Sequence, residues 1–327
     1  MTYKFIFITI LSTFFLNNLL FASSLDFGDK SDYEVLEFVR DVSLNKTFTG
    51  LMVAHNTGGK KFLARVSQGK LDGVIQKKRE FLDKGTEYIH IGTESREYFL
   101  DEKLIKIRNN AAPVFPNFLL FHSEEILRYY NLKRYGFSDT KIANKTSFVF
   151  ELESKDSMRW GVRFWIDSMS GLLLKLQYMD NESNVLKKEF FAEISIGPST
   201  KSKLYLSAPD SKKWRKIYIS SFTDQNAGLV YNNRYDNGFS LVKCLNAKVI
   251  ESNQVHNENF VRHQCFFSDG VALISAITHD QKPLNLYQYS KGCMSQKVGL
   301  KGNKPMYIGG CVPRETIQYF FNKLNVE

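Results

Sequence analysis

Hydrophobic and polar positions alternate most clearly between Arg159 and Tyr178. Trp160, Val162, Phe164 and Ile166 fall on one face of a strand, the polar stretch Asp167 to Gly171 makes a turn, and Leu172, Leu174, Leu176 and Tyr178 share one face of the next strand. The pattern predicts a hairpin with a wall of large apolar side chains. From Thr49 to Ile107 shorter alternating runs are separated by Asn56-Thr57-Gly58-Gly59, Asp72-Gly73, Lys84-Gly85 and Asp101-Glu102, which predicts an antiparallel meander. Strands resume at Phe148 to Leu152 and continue to Phe191. More follow in the last third of the chain, with turn signals at Asp236-Asn237-Gly238 and Ser268-Asp269-Gly270.

Helical spacing occurs in three places. Ser31-Asp32-Tyr33-Glu34 has the capping-box spacing and leads into Leu36 and Val39, predicting a helix over about 32–43. Ser123-Glu124-Glu125 opens a short helix with acids where they suit the dipole, after Ala111-Ala112-Pro113 and Pro116 break the meander. A last helix starts at Pro313 and carries Ile317, Phe320, Phe321 and Leu324 on one side. Strands in long runs with few helices make the expected class α+β.

Periodicity is lost from Ile196 to about Asp210, where Pro, Gly, Ser and Lys accumulate. This places a linker at 199–210, a large domain at 25–198 and a small one at 211–327. Residues 1–24 combine Lys4, the apolar run Phe5 to Leu20 and Ala22-Ser23-Ser24, the pattern of a signal peptide cut near Leu25. Such a leader exports the rest of the chain. The four cysteines, Cys244, Cys265, Cys293 and Cys311, all lie in the small domain and read as two disulfides. Three connectivities are open; Cys244 with Cys265 and Cys293 with Cys311 is favoured, because each pair closes one hairpin-sized loop. No CxxC or paired-histidine spacing suggests a metal.

The formal net charge of +10 suits an acidic partner or an anionic lipid. Lysines and arginines are mixed with acids throughout an exported chain, which argues against nucleic acid. Lys212, Lys213, Arg215 and Lys216 form a basic run beside Trp214, a residue suited to a contact between domains or with a partner. No nucleophile elbow, phosphate loop, dinucleotide fingerprint or HExxH helix is present, so neither catalysis nor a cofactor is expected. Phe148, Phe150, Trp160, Phe164, Leu172 and Leu174 present an apolar sheet face. It could hold acyl chains or simply fill a core.

The hairpin from Trp160 to Leu176, followed by Asp180 to Lys188 and Glu189-Phe190, resembles the RseB/MucB family of periplasmic regulators of the sigma-E envelope-stress response. Arg65 to Asp72-Gly73, Phe266 to Ala272 with its Ser268-Asp269-Gly270 turn, and Gly309-Gly310-Cys311-Val312-Pro313 agree with it. The resemblance implies a large curved antiparallel sheet with helices, a half-barrel similar to the carriers LolA and LolB, plus a small C-terminal sheet-and-helix domain. It implies a soluble periplasmic protein, free of catalysis, that binds the periplasmic domain of a membrane-spanning anti-sigma factor and shields it from proteolysis. Lipopolysaccharide or another lipid would release the partner; a homo-oligomer stays open. Arg163, Trp165, Ser268, Asp269 and Gly270 become the partner-binding candidates. A lipoprotein carrier or chaperone is the alternative, and an exported hydrolase ranks behind both.

Overall fold

A computed structural model describes residues 24–59, 61–71, 73–109, 119, 123–197, 208–222, 229–230, 237–251, 262–278 and 287–326. The signal-peptide segment, the Ala111 to Pro116 break and most of the 199–210 linker lie outside the described residues.

Helix α1 (Asp32–Asn45) begins as the capping box requires. Glu34 N donates to Ser31 Oγ at 3.3 Å, and Ser31 N donates to Glu34 Oε2 at 2.7 Å, so two otherwise orphaned amides are satisfied. Val35, Leu36, Val39 and Val42 form its buried side. At its far end the buried Gln68 amide donates to the carbonyls of Ser43, Leu44 and Lys46, tying the helix terminus to the sheet. Helix α2 (Ser123–Tyr129) is tied at its start to the first helix. Glu37 of α1 accepts from both Ser123 N and Ser123 Oγ at 2.9 Å and caps it from a distance.

The large domain contributes β1 (Phe48–Asn56), β2 (Lys61–Leu71), β3 (Val74–Phe81), β4 (Thr86–Ile91), β5 (Glu94–Phe99), β6 (Leu104–Asn109), β7 (Tyr130–Phe137), β8 (Ser147–Ser154), β9 (Gly161–Asp167), β10 (Leu173–Met179) and β11 (Val185–Ile196). They pair antiparallel in the order 7-8-9-10-11-1-2-3-4-5-6. The expected meander is β1 to β6, with one more turn, at Gly92-Thr93, than the sequence signals gave.

After the linker come β12 (Arg215–Phe222), β13 (Leu229–Val230), β14 (Ser240–Glu251), β15 (Arg262–Ser268), β16 (Leu273–Thr278), β17 (Tyr287–Lys291), β18 (Met294–Lys301), β19 (Lys304–Cys311), helix α3 (Arg314–Lys323) and β20 (Asn325–Val326). Strands 12-14-15-16-19-18-17 pair antiparallel in that order, and β13 pairs with β20. Strand β12 lies parallel to β6, so the small domain's sheet extends directly from the edge of the large one. Trp214, beside the linker, packs edge-on to Tyr98 and fastens this junction.

The expected α+β class holds: a large curved antiparallel sheet with helices and a small sheet-and-helix domain. Disulfides join Cys244 to Cys265 and Cys293 to Cys311, the favoured pairing. One face of α3 closes the small core, where Phe320 meets Phe239 and Phe267.

One expectation about the hairpin is corrected. Leu173 pairs with Ile166 but Lys175 pairs with Trp165, so β10 carries one extra residue and alternation slips there. Leu176 and Tyr178 join Val162 and Phe164 in the main core, whereas Leu174 joins Ile142, Val149 and Trp165 on the opposite face. Leu172 and Leu174 therefore do not share a face.

Candidate functional site

Three regions hold the residues singled out from the sequence. The first is the joint between the domains. The loop between β8 and β9 starts with an Asx turn: Asp156 Oδ1 accepts from Met158 N and from Arg159 Nε, both at 2.9 Å. That fixes Arg159, which is wholly buried, pointing into the small domain. Its Nη1 donates to Asp269 Oδ2 at 3.2 Å, its Nη2 donates to Asn237 O, and its Cζ lies 4.5 Å from the Tyr129 ring centroid. Tyr130 OH donates to Asp269 Oδ2 at 3.0 Å. Asp269 Oδ1 accepts from Val271 N at 2.9 Å and Ala272 N at 2.7 Å. All three guanidinium nitrogens and both carboxylate oxygens are thus engaged, as a charge pair out of water requires.

Burial pushes the Asp269 carboxyl above the usual range, while Arg159, the two amides and Tyr130 pull it back. Burial and the neighbouring Asp269 charge push the Tyr130 phenol far up, so it remains a donor. Around the pair, Trp160 Nε1 donates to Cys293 O at 3.0 Å, and Thr316 Oγ1 of α3 donates to Met158 O at 2.6 Å. Gly238 has φ +81°, and a Cβ there would stand 2.2 Å from the Tyr129 ring. Val271 and Cys293 belong to the same apolar cluster as the large domain's core.

The second region is the inner face of the large sheet. Phe150, Phe164 and Leu172 are fully buried; Phe148 and Trp160 are half-buried against the same cluster. The Phe150 and Phe164 rings stack at 5.5 Å, and Phe27 meets Phe38, Phe148 and Phe150 edge-on at 5.1–5.7 Å. The space over this face is filled by Phe27 and α1. Arg134 of β7 holds the covering segment, donating to Phe27 O at 2.7 Å, Lys30 O at 2.7 Å and Asp32 Oδ1 at 2.6 Å.

The third is the outer face of β8 to β11. Arg163 forms an ion pair with Glu151 at 2.6 Å, beside the Tyr135 ring, and Trp165 is buried under Lys175. Of the partner-binding candidates, Arg163 and Trp165 therefore sit on this outer face. Ser268, Asp269 and Gly270 are buried in the joint, where Ser268 Oγ donates to Ala272 O at 2.7 Å. The sequence marked Asn237 only as part of a turn and did not single out Arg159 or Tyr130 as site residues, yet the three complete the joint. Their partners lie up to 139 residues away, and no local pattern marks them as partners of one another.

The family model of the MucB/RseB N-terminal domain matches residues 30–214, more than half of the chain. The chain belongs to the MucB/RseB family. Among solved structures, the crystal structure of MucB in complex with MucA(peri) superposes with a TM-score of 0.65 at 15% identity, covering 91% of this chain and 99% of that one. The complex structure of Pseudomonas aeruginosa MucA/MucB gives 0.67 at 14% identity, covering 90% and 99%; MucB alone gives 0.64 at 15%, covering 92% and 99%. No curated protein sequence matches the chain significantly. The fold shared with MucB covers about nine-tenths of this chain and so extends past residue 214 into the small domain.

Proposed function

We propose that this protein is a periplasmic, non-enzymatic negative regulator of an envelope-stress sigma factor, which binds the periplasmic domain of a membrane-spanning anti-sigma factor and shields it from proteolysis. The observation that carries this reading is the agreement with essentially all of MucB, a protein solved in complex with MucA(peri). Two disulfides fit an oxidising compartment, and no helix among the described residues is long and apolar enough to cross a membrane. The large domain at 25–198 and the small one at 211–327 act as one binding body, held by the Arg159–Asp269 pair. Arg163 offers a direct contact on the outer face, with Trp165 buried beneath Lys175 as its support, whereas Ser268, Asp269 and Gly270 position the domains.

Lipid, lipopolysaccharide included, acts in this reading as the releasing signal. Phe148, Phe150, Trp160, Phe164 and Leu172 line the face that would take acyl chains, at about 0.8 kcal/mol per buried methylene. Phe27 and α1 occupy that space, so lipid entry requires Arg134 to release the covering segment. A carrier of lipoproteins is disfavoured by the joint, because a carrier built on the large domain alone has no use for a buried charge pair reaching into a second domain.

The test is titration of the full chain with the purified periplasmic domain of a single-span anti-sigma factor, followed by protease challenge. Saturable binding that slows cleavage, and that added lipopolysaccharide reverses, is expected. Cleavage at an unchanged rate in the bound state would sink the shielding role, and absence of binding would sink the regulator. Arg134→Ala should lower the lipid concentration needed for release.

A further inference from the structure

The outer face of the large sheet, beside the contact that Arg163 offers, also carries a small core of its own. Sheet faces exposed to water normally alternate polar side chains without a core of their own. Here Ile142, Val149, Trp165 and Leu174 are buried together on that face. Ile142 is delivered by a tight turn whose central residues, Ala143 and Asn144, have φ of 49° and 62°. An alanine in the left-handed region is costly and persists only where the surroundings impose it. Beside this turn runs a groove of about 340 Å3, lined by Lys141, Ile142, Lys175, Lys188 and Phe190 among others.

The cations come together through strand register. Lys175 of β10 stands opposite both Trp165 and Phe190, with its Nζ 3.9 Å from the Trp165 ring centroid. In the next row across the sheet, Arg163, Gln177, Lys188 and His55 follow one another. Arg163 is neutralised by Glu151. Burial, with the charges of Lys188 and Arg163, holds the Lys175 ammonium below the usual lysine range. A compact anion in the groove would relieve that repulsion, and ammonium groups suit phosphate as point charges.

We propose that the groove between the Ile142 turn and strands β10 and β11 binds a phosphate monoester, with Lys175, Lys188 and Lys141 neutralising the phosphate and Phe190 receiving the carbon skeleton attached to it. The site lies on the opposite side of the sheet from the apolar face at Phe150 and Phe164, and its affinity for phosphate is measured without the anti-sigma partner.

Calorimetric titration of the full chain with glycerol 3-phosphate, and flotation with phosphatidylcholine vesicles with or without phosphatidic acid, separate a soluble ester from a lipid head group. Binding in either arm that drops at least roughly tenfold in K175Q/K188Q but not in K212Q/K213Q is the expected result. Should the double variant fold poorly, K141Q/K188Q alters two partly or fully exposed side chains and should still lose several-fold. No binding in either arm, equal affinity of the groove variants and the unaltered protein, or an equal loss in K212Q/K213Q would each overturn the proposal. The last outcome would reduce the effect to net charge.

Discussion

The joint and the outer groove treat positive charge in opposite ways. Arg159 is wholly out of water, and its three nitrogens meet a carboxylate, a carbonyl and a second carboxylate on Asp156. Lys175 is half-buried, lies over an indole ring, and has cations rather than a carboxylate beside it. A buried charge that is fully paired fixes geometry, because removing either partner strands the other. A half-buried charge held among like charges is expensive to keep and gains only when an anion arrives. The first arrangement sets how the two domains sit; the second leaves an opening for a ligand.

The strongest way to break the comparison is Asp269→Ala. It strands Arg159, removes the acceptor of Tyr130 and frees two backbone amides, so a loss of about 3–5 kcal/mol in chemical denaturation is expected. The paired change Arg159→Met with Asp269→Leu should cost clearly less, since neither charge is then left unpaired. If Asp269→Ala is neutral, the joint does not hold the domains.

Removing the disulfides sharpens the location of that joint. The bridges span 21 and 18 residues, so chain entropy alone predicts nearly equal losses of about 3 kcal/mol for Cys244→Ser/Cys265→Ser and Cys293→Ser/Cys311→Ser. Cys293, however, is buried in the large-domain cluster, and its carbonyl accepts from Trp160. The second pair should therefore also increase proteolysis between the domains, read by limited digestion. Equal digestion patterns would place the joint elsewhere. Gly238→Ala tests the same boundary more gently. The left-handed φ and the Tyr129 ring together predict a loss of about 2–4 kcal/mol, measured by thermal melting.

How far these regions were legible depended on the distance over which their residues speak to each other. The capping box at Ser31 and Glu34 is a local signal, and the expected helix over about 32–43 matches Asp32–Asn45 to within its last turn. The meander, the closing helix and the cysteine pairing are equally local. The bulge at Leu174 was hidden, because reading faces from alternation assumes a strict period of two, and one extra residue exchanges them. Ser268-Asp269-Gly270 was half legible. The turn is real and Asp269 caps it with one oxygen, but nothing nearby announces that the other oxygen meets Arg159, 110 residues away. Lys141, Lys175 and Lys188 sit in three separate segments. Only the register of β10 and β11 and the Ile142 turn make them neighbours.

The smallest expected effect bears on the other half of the comparison. In the folded chain the Lys175 ammonium loses its proton more readily than in the unfolded chain, where it behaves as an ordinary lysine near pH 10.5. Between the lowered value and pH 10.5 the unfolded state holds more protons, so stability rises with pH through that window, and the penalty is fully present below it. Lys175→Gln removes the penalty and with it this part of the alkaline rise. Because the side chain is partly solvated and loses its contact with Trp165, the net change near neutral pH should be within about 0.5 kcal/mol of zero. Denaturation curves of the variant and the unaltered protein should therefore overlap near pH 7 and separate towards pH 10, with the unaltered protein gaining. A variant strongly destabilised at pH 7 would mean that Lys175 is a structural cation like Arg159, and the contrast between the two regions would be lost.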